Sequence, residues 1–295
     1  MKTPLKVHLA LLLVALIYGT TYVIAKGVMP DHLGPSAFIF IRVTIAGILF
    51  FILSRIVSKE RIRDKRDYLD LGIAAFFGVA ANMLLFFNGL AHTTELNASV
   101  LMLNAPVFVL IFSRMVLKQK VSNLQIVGIA LSTLGAVLLL GGRKLSFSGD
   151  TLQGDLMVLL NATSFAFYLV YVKRLLVKYS ALTVIRNAFL FGWIFVLPFA
   201  WNELMEADYA AFAPRIWWAI IYVSFGTTFV AYALNAWAIK NASPVVAGSY
   251  IYLQPVIATG VSELLGNQLL SVEKVIFALL IFVGVFLVNT YKRAN

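Results

Sequence analysis

The sequence predicts an all-α integral membrane protein whose ten transmembrane helices form two inverted five-helix repeats, and three observations carry that prediction. Of 295 residues, 61% are hydrophobic and 13% charged, with a mean hydropathy of +0.90, far from a soluble globular average. Apolar runs of about 20 residues, the length that spans a bilayer, recur along the whole chain between short polar breaks. One half of the chain also maps onto the other at an offset of 149 residues.

The first span, Val7 to Ala25, lacks a small-residue cleavage site and continues through Lys26, so it reads as a helix rather than a signal peptide. It closes on YGTTYVIAK, where Tyr18, Thr21, Tyr22 and Ala25 fall at i, i+3, i+4 and i+7 and share one polar face. The second, Ala37 to Val57, carries a lone Arg42 and leads into the longest charged stretch, Ser54 to Asp67, which reads as a loop. The third is Leu69 to Leu90. The fourth, Leu96 to Leu117, aligns Asn97 with Asn104 and holds Pro106 near the bilayer centre; the fifth is Val121 to Leu140. The sixth, Leu152 to Val172, repeats the polar face with Asn161, Ser164 and Tyr168, and the seventh, Ala181 to Trp201, carries Arg186. The eighth, Ile216 to Ile239, places Thr228, Tyr232 and Asn235 in line. The ninth, Val245 to Leu265, holds Tyr250, Tyr252, Gln254 and Pro255, and the tenth runs from Val272 to Val288.

Basic residues flanking spans stay on the cytoplasmic side. With both termini inside, ten spans place seventeen lysines and arginines in the cytoplasm and five outside, Arg42 and Arg186 lying within spans. The net charge of +11 therefore belongs to membrane topology, and no contiguous basic module points to nucleic acid. At the offset of 149, VLMLNAPVFVLIF (Val100 to Phe112) falls on SYIYLQPVIATGV (Ser249 to Val261), pairing Pro106 with Pro255; Ala98, Gln119, Ser122 and Gly135 pair with Ala247, Gln268, Ser271 and Gly284. An odd number of spans per repeat inverts the halves, expected at residues 1–145 and 146–295, and inverted repeats place a binding site at the midplane between them.

YGTTYVIAK, the lone Arg42, NASVLMLNAPVF, SPVVAGSYIYLQPV and VSNLQIVGIALSTLGAVLLL, in that order and spacing, resemble an EamA-type permease of the drug/metabolite transporter superfamily across essentially the whole chain. The resemblance implies ten helices, two repeats, a central cavity, and export or exchange of small metabolites such as amino acids in the cell (inner) membrane. The family often shows glutamate before helices five and ten; here Gln119 and Gln268 stand there, so no role of those carboxylates carries over.

Hydroxyls and amides facing lipid would go unpaired, so the polar stripes turn toward one another or toward water. Each residue alone reads equally as interhelical glue; recurrence in both halves favours a substrate pathway lined by Tyr18, Thr21, Tyr22, Asn97, Asn104, Asn161, Tyr168, Tyr232, Asn235, Tyr250, Tyr252 and Gln254. Pro106 and Pro255 predict kinks that free the carbonyls of Met102 and Ile251. Arg42 and Arg186 read as structural, with their heads snorkelling to opposite interfaces, and Lys26 and Lys173 have the same reach. Glu263 reads as an interfacial residue at the outer end of helix nine. Trp201, Trp217 and Trp218 read as interfacial anchors.

No cofactor or metal is expected: cysteine is absent, and His8 and His92 stand singly at helix ends. No G-x-S-x-G, H-E-x-x-H or intramembrane aspartate pair points to an enzyme. The tyrosines and amides, with few charges, suit a small neutral or zwitterionic ligand; a nucleotide-sugar-type carrier and a polar channel remain the alternatives.

Overall fold

The computed structural model describes residues 4–57, 60–141, 149–265 and 272–290, with backbone alone for Tyr22, Val23, Lys26 and residues 261–265. The expected repeat boundary at 145/146, Gln268 and the C-terminus lie outside the described residues, as do the side chains of Tyr22, Lys26 and Glu263. Ten helices follow one another: α1 (Leu5–Lys26), α2 (Pro35–Val57), α3 (Lys65–Ala91), α4 (Glu95–Val116), α5 (Asn123–Gly141), α6 (Leu152–Lys178), α7 (Ala181–Glu206), α8 (Pro214–Asn241), α9 (residues 244–265) and α10 (Val272–Thr290). Their starts are chemically marked. Proline opens α2, α8 and α9, where a missing N–H costs nothing. The Thr94, Ser180 and Ser243 side chains accept backbone N–H groups at the starts of α4, α7 and α9.

Leu9, Leu13, Leu16, Phe51, Leu134, Leu160, Ile194 and Phe286 are exposed on the outer surface, as a lipid-facing belt requires. Inside, α6 is far more enclosed than α10, 67% of its apolar stretch being buried against 22%. The equivalent helices α5 and α10 pack face to face through small residues. Gly128 lies against the Gly284 carbonyl, Gly135 against Ile281, and Ser132 Oγ donates to Ile281 O at 3.4 Å. Close backbone approach of this kind substitutes for the hydrophobic effect, which drives no association between helices already in lipid.

Four helices depart from regular α geometry, and they do so in equivalent pairs. A wide π-helical turn occupies Phe76–Ala80 of α3 and Val223–Val230 of α8; shifted by 149 residues, the first falls inside the second. The α4 helix breaks at residues 103–104 and α9 tightens into a 3-10 turn at Tyr250–Tyr252, with Leu103 and Tyr252 related by the same shift. The prolines explain the second pair. Instead of kinking a continuous helix, Pro106 and Pro255 each sit near the start of a new helical piece, where proline fits best.

Polar contacts tie the halves together at both ends. At one end Asp155 of α6 accepts from Thr93 at 2.5 Å and Asn97 at 3.2 Å, and Glu203 of α7 takes the Ser36 and Ala37 N–H groups at 2.7 and 2.9 Å. At the other, Asp67 of α3 pairs with Lys178 at 2.6 Å and accepts from Tyr179 at 2.8 Å, while Tyr171 donates to Asp70 at 2.6 Å. Lys173 does not snorkel: its ammonium donates to the carbonyls of Ile239, Lys240 and Ala242 at the C-terminal end of α8.

Candidate functional site

Between the halves lies a cavity of about 70 Å³ lined by α1, α2, α3, α4, α6, α8 and α9. Its polar wall is Tyr18, Thr21, Arg42, Asn82, Asn161, Thr227, Tyr232 and Gln254; Met83, Phe86, Phe87, Met102 and Phe165 complete it. That volume is well below the roughly 300 Å³ of a site for a drug-sized ligand. A ligand held here is small, or the walls part to admit it.

The wide turn in α3 builds one side of this cavity. Lengthened helical loops release carbonyls from the i→i−4 ladder, and in a membrane each needs another donor. Tyr232 Oη donates to Gly78 O at 2.8 Å, Ser164 Oγ to Phe77 O at 2.7 Å, and Asn161 Nδ2 to Asn82 O at 2.6 Å. Gly78 also permits the approach of α6: a Cβ there would stand 2.2 Å from Tyr168 Cδ2. In α8 the Thr228 hydroxyl donates to Val223 O at 3.0 Å, five residues back, and accepts from Arg42 Nε at 3.0 Å.

Arg42 is the centre of the site. It lies seven residues into α2, about 10 Å along the helix, yet only 1% of its surface is exposed. The guanidinium carbon stands 4.3 Å from the Phe87 ring centroid and 5.5 Å from that of Phe38. Thr228 takes Nε, whereas Nη1 is buried with no hydrogen-bond partner. No carboxylate lines the cavity among the described residues. Across the same cavity wall Asn161, anchored through its amide nitrogen, holds Oδ1 buried and equally without a partner. The expected snorkelling of Arg42 is therefore corrected: the side chain turns inward because Thr228, Phe38 and Phe87 receive it there.

The structure brings together Tyr18, Thr21, Asn161, Tyr232 and Gln254 of the expected pathway. Asn235 and Tyr250 line a small annex that shares Tyr18, Phe165 and Gln254; Asn235 Nδ2 donates to Tyr18 Oη at 3.4 Å, and Tyr250 Oη meets His8 Nδ1 at 2.6 Å. Tyr168 stands behind the wall, its ring centroid 6.3 Å from that of Tyr232. Three residues are placed elsewhere. Asn97 is held by Asp155, Asn104 Nδ2 turns back onto Leu101 O at 2.9 Å, and Tyr252 Oη bonds Thr133 of α5 at 2.7 Å. The break at 103–104 separates Asn97 from Asn104, so their seven-residue spacing no longer places them on one face.

Sequence reasoning passed over Asn82 and Thr227, and assigned Arg42 a structural role. An intramembrane charge is a site hypothesis by default, and that signal was available for Arg42. Asn82, an amide within an apolar span four residues after Gly78, offered a weaker one.

Comparisons with known proteins agree with this architecture. The family model described as "EamA-like transporter family" matches the chain twice, over residues 5–141 and 152–290. An "Uncharacterized transporter" of Archaeoglobus fulgidus is 30% identical over 255 residues, covering 85% of this chain and 86% of that one. The "Uncharacterized inner membrane transporter YedA" of Escherichia coli K12 is 28% identical, covering 89% and 83%. A solved crystal structure, 17% identical, superposes with a TM-score of 0.78 over 95% of each chain, which speaks to the fold alone.

Proposed function

Since this chain belongs to the EamA-like transporter family, we propose that it carries small zwitterionic metabolites, amino acids foremost, across the cell membrane by alternating access. The family supports a carrier rather than an enzyme. Export or exchange is the direction we assign, with both termini in the cytoplasm, supported by seventeen inner against five outer basic residues. The inner membrane as location is supported by the name of the relative YedA.

One observation carries the substrate class: the buried Arg42 guanidinium, with a free Nη1 and, among the described residues, no carboxylate lining the cavity. A lone buried cation is costly until paired. A ligand carboxylate supplies the missing charge and accepts from Nη1, a charge-assisted bond of the stronger kind. Asn161 Oδ1 is the matching acceptor for an ammonium group, and Phe86, Phe87 and Phe165 offer apolar contact for the remainder. A single cation in so small a cavity does not suit a nucleotide sugar, whose two phosphates call for more positive charge and more room.

The test is a ligand dissection by thermal shift on purified protein, comparing leucine and alanine with leucinol, which lacks the carboxylate, and with 4-methylpentanoate, which lacks the amine. Stabilisation by the amino acids and by neither analogue is expected. Stabilisation by polyanions alone would refute the amino-acid reading. In reconstituted vesicles, internal substrate is expected to stimulate uptake; its failure to do so would favour a channel.

A further inference from the structure

A second, larger cavity of about 920 Å³ lies outside the central site, between α2 and α7. It runs from Thr44 and Trp193, which bond each other at 3.0 Å near mid-helix, down to the loop after α2. Its long walls are apolar and face outward: Ile48, Phe51 and Leu190 are each half exposed or more. Gly47 lies along it with no atom within 4 Å of where a Cβ would stand, so the missing side chain leaves open space.

The end of this groove is basic. Arg55, Arg61 and Arg186 converge there with one carboxylate, Glu60. Arg55 is carried over the Phe51 ring at 4.9 Å, and Arg186 Nη1 reaches Ser54 Oγ at 3.4 Å, which holds both guanidinium groups at the groove. Glu60 is committed elsewhere: its Oε2 accepts the Ser180 N–H at 2.8 Å at the start of α7. Burial acts to raise its carboxyl, but hydrogen bonds from Ser180 and Thr183 and the charge of Lys240 hold it below its usual value, so it stays ionised. Three arginines against one engaged carboxylate leave a positive mouth at the end of a lipid-facing apolar channel, at the membrane face to which the count of lysines and arginines assigns the cytoplasm.

We infer that the groove between α2 and α7 is a binding site for one anionic phospholipid, its phosphate at Arg55, Arg61 and Arg186 and an acyl chain along Gly47, Ile48, Phe51 and Leu190. Basic pockets between transmembrane helices at the cytoplasmic face take acidic lipid headgroups through the same combination. The site shares no residue with the central cavity and stands whether or not amino acids are the substrate. Arg186 then acts as a headgroup ligand rather than a merely snorkelling charge.

Native mass spectrometry of the detergent-purified protein tests this, with four probes: phosphatidylglycerol, phosphatidylcholine of the same chains, glycerophosphoglycerol and inorganic phosphate. Phosphatidylglycerol is expected to be retained at one per chain under activation that strips phosphatidylcholine, and the two chain-free anions are expected to be lost. Arg186→Gln and Arg61→Gln each weaken retention about five-fold, the effect of one basic residue at an acidic lipid surface. Gly47→Leu fills the channel and abolishes retention without touching an arginine. Arg215→Gln, at the opposite membrane face, leaves it unchanged. Equal retention of the two lipids overturns the proposal, as does phosphatidylglycerol binding indifferent to Arg186→Gln and Gly47→Leu. Free headgroup or phosphate held as tightly as the lipid overturns it in favour of a simple anion site.

Discussion

Replacing Gly284 by alanine probes the contact between α5 and α10. The added Cβ would stand 2.3 Å from Ser132 Oγ, 2.5 Å from the Gly128 carbonyl oxygen and 2.7 Å from the Ser132 nitrogen. The hydroxyl can rotate away, but the other two atoms are backbone. Carbon and oxygen settle at about 3.3–3.6 Å, so the helices must part by roughly 0.8 Å along a seam where packing replaces hydrophobic drive. A gap of that size forfeits about a quarter to a half of each dispersion contact it opens. Overpacking of this kind costs about 1–3 kcal/mol, which lowers the melting temperature on the order of 5 °C. The control is Gly72→Ala, where no atom lies within 4 Å and alanine is the better helix former. Both proteins are purified in the same detergent and melted by intrinsic tryptophan fluorescence. If the Gly284 variant melts with the Gly72 variant, the close approach of α5 and α10 is not what holds them.

Arg42→Gln removes the cation and is expected to weaken amino-acid binding about ten- to hundred-fold, the worth of a hydrogen bond to a charged group; calorimetric affinities equal to those of the parent would sink its role. Asn161→Leu and Asn104→Leu are expected to diverge, because Asn161 faces the cavity and Asn104 bonds its own helix. Transport lost in the first and kept in the second is the outcome to look for. Gly78→Ala drives a methyl into Tyr168 and is expected to release Tyr232 from Gly78 O, lowering substrate affinity with the protein still inserted; unchanged affinity would show the wide turn to be incidental. Accessibility tags at Asp64 and Asp208 are expected to report opposite sides of the membrane, the first cytoplasmic, and agreement between them would overturn the orientation.

The fold was legible because hydropathy counts spans and the offset of 149 doubles them. Pro106 and Pro255 marked where α4 and α9 are interrupted, though as kinks rather than as new helical starts, and proline alone does not decide, since Pro198 lies inside the continuous α7. The wide turns were not: FFGVA and VSFGTTFV are ordinary apolar helix sequence, and their geometry depends on Tyr232, Ser164 and Arg42 arriving from other helices. The same limit applies to side-chain direction. Arg42 has the reach to snorkel outward, and only Thr228 and the Phe87 ring, distant in sequence, turn it inward. Asn97 resembled its neighbour Asn104 in type and face, but Asp155 of the other half accepts its amide and holds it away from the cavity.

The matched irregularities of α3 with α8 and of α4 with α9 bear on the energetics of transport. In a molecule whose halves are inverted copies, the state open to the other side is reached when each half takes the shape its counterpart holds now. Deformations already present in both halves are exchanged in that step rather than created, so their cost largely cancels between the two end states. The equilibrium between orientations then lies near balance, and a small differential affinity, such as a ligand neutralising one buried cation, suffices to tip it. A carrier poised this way turns over without binding its cargo tightly, which leaves the cargo free to depart.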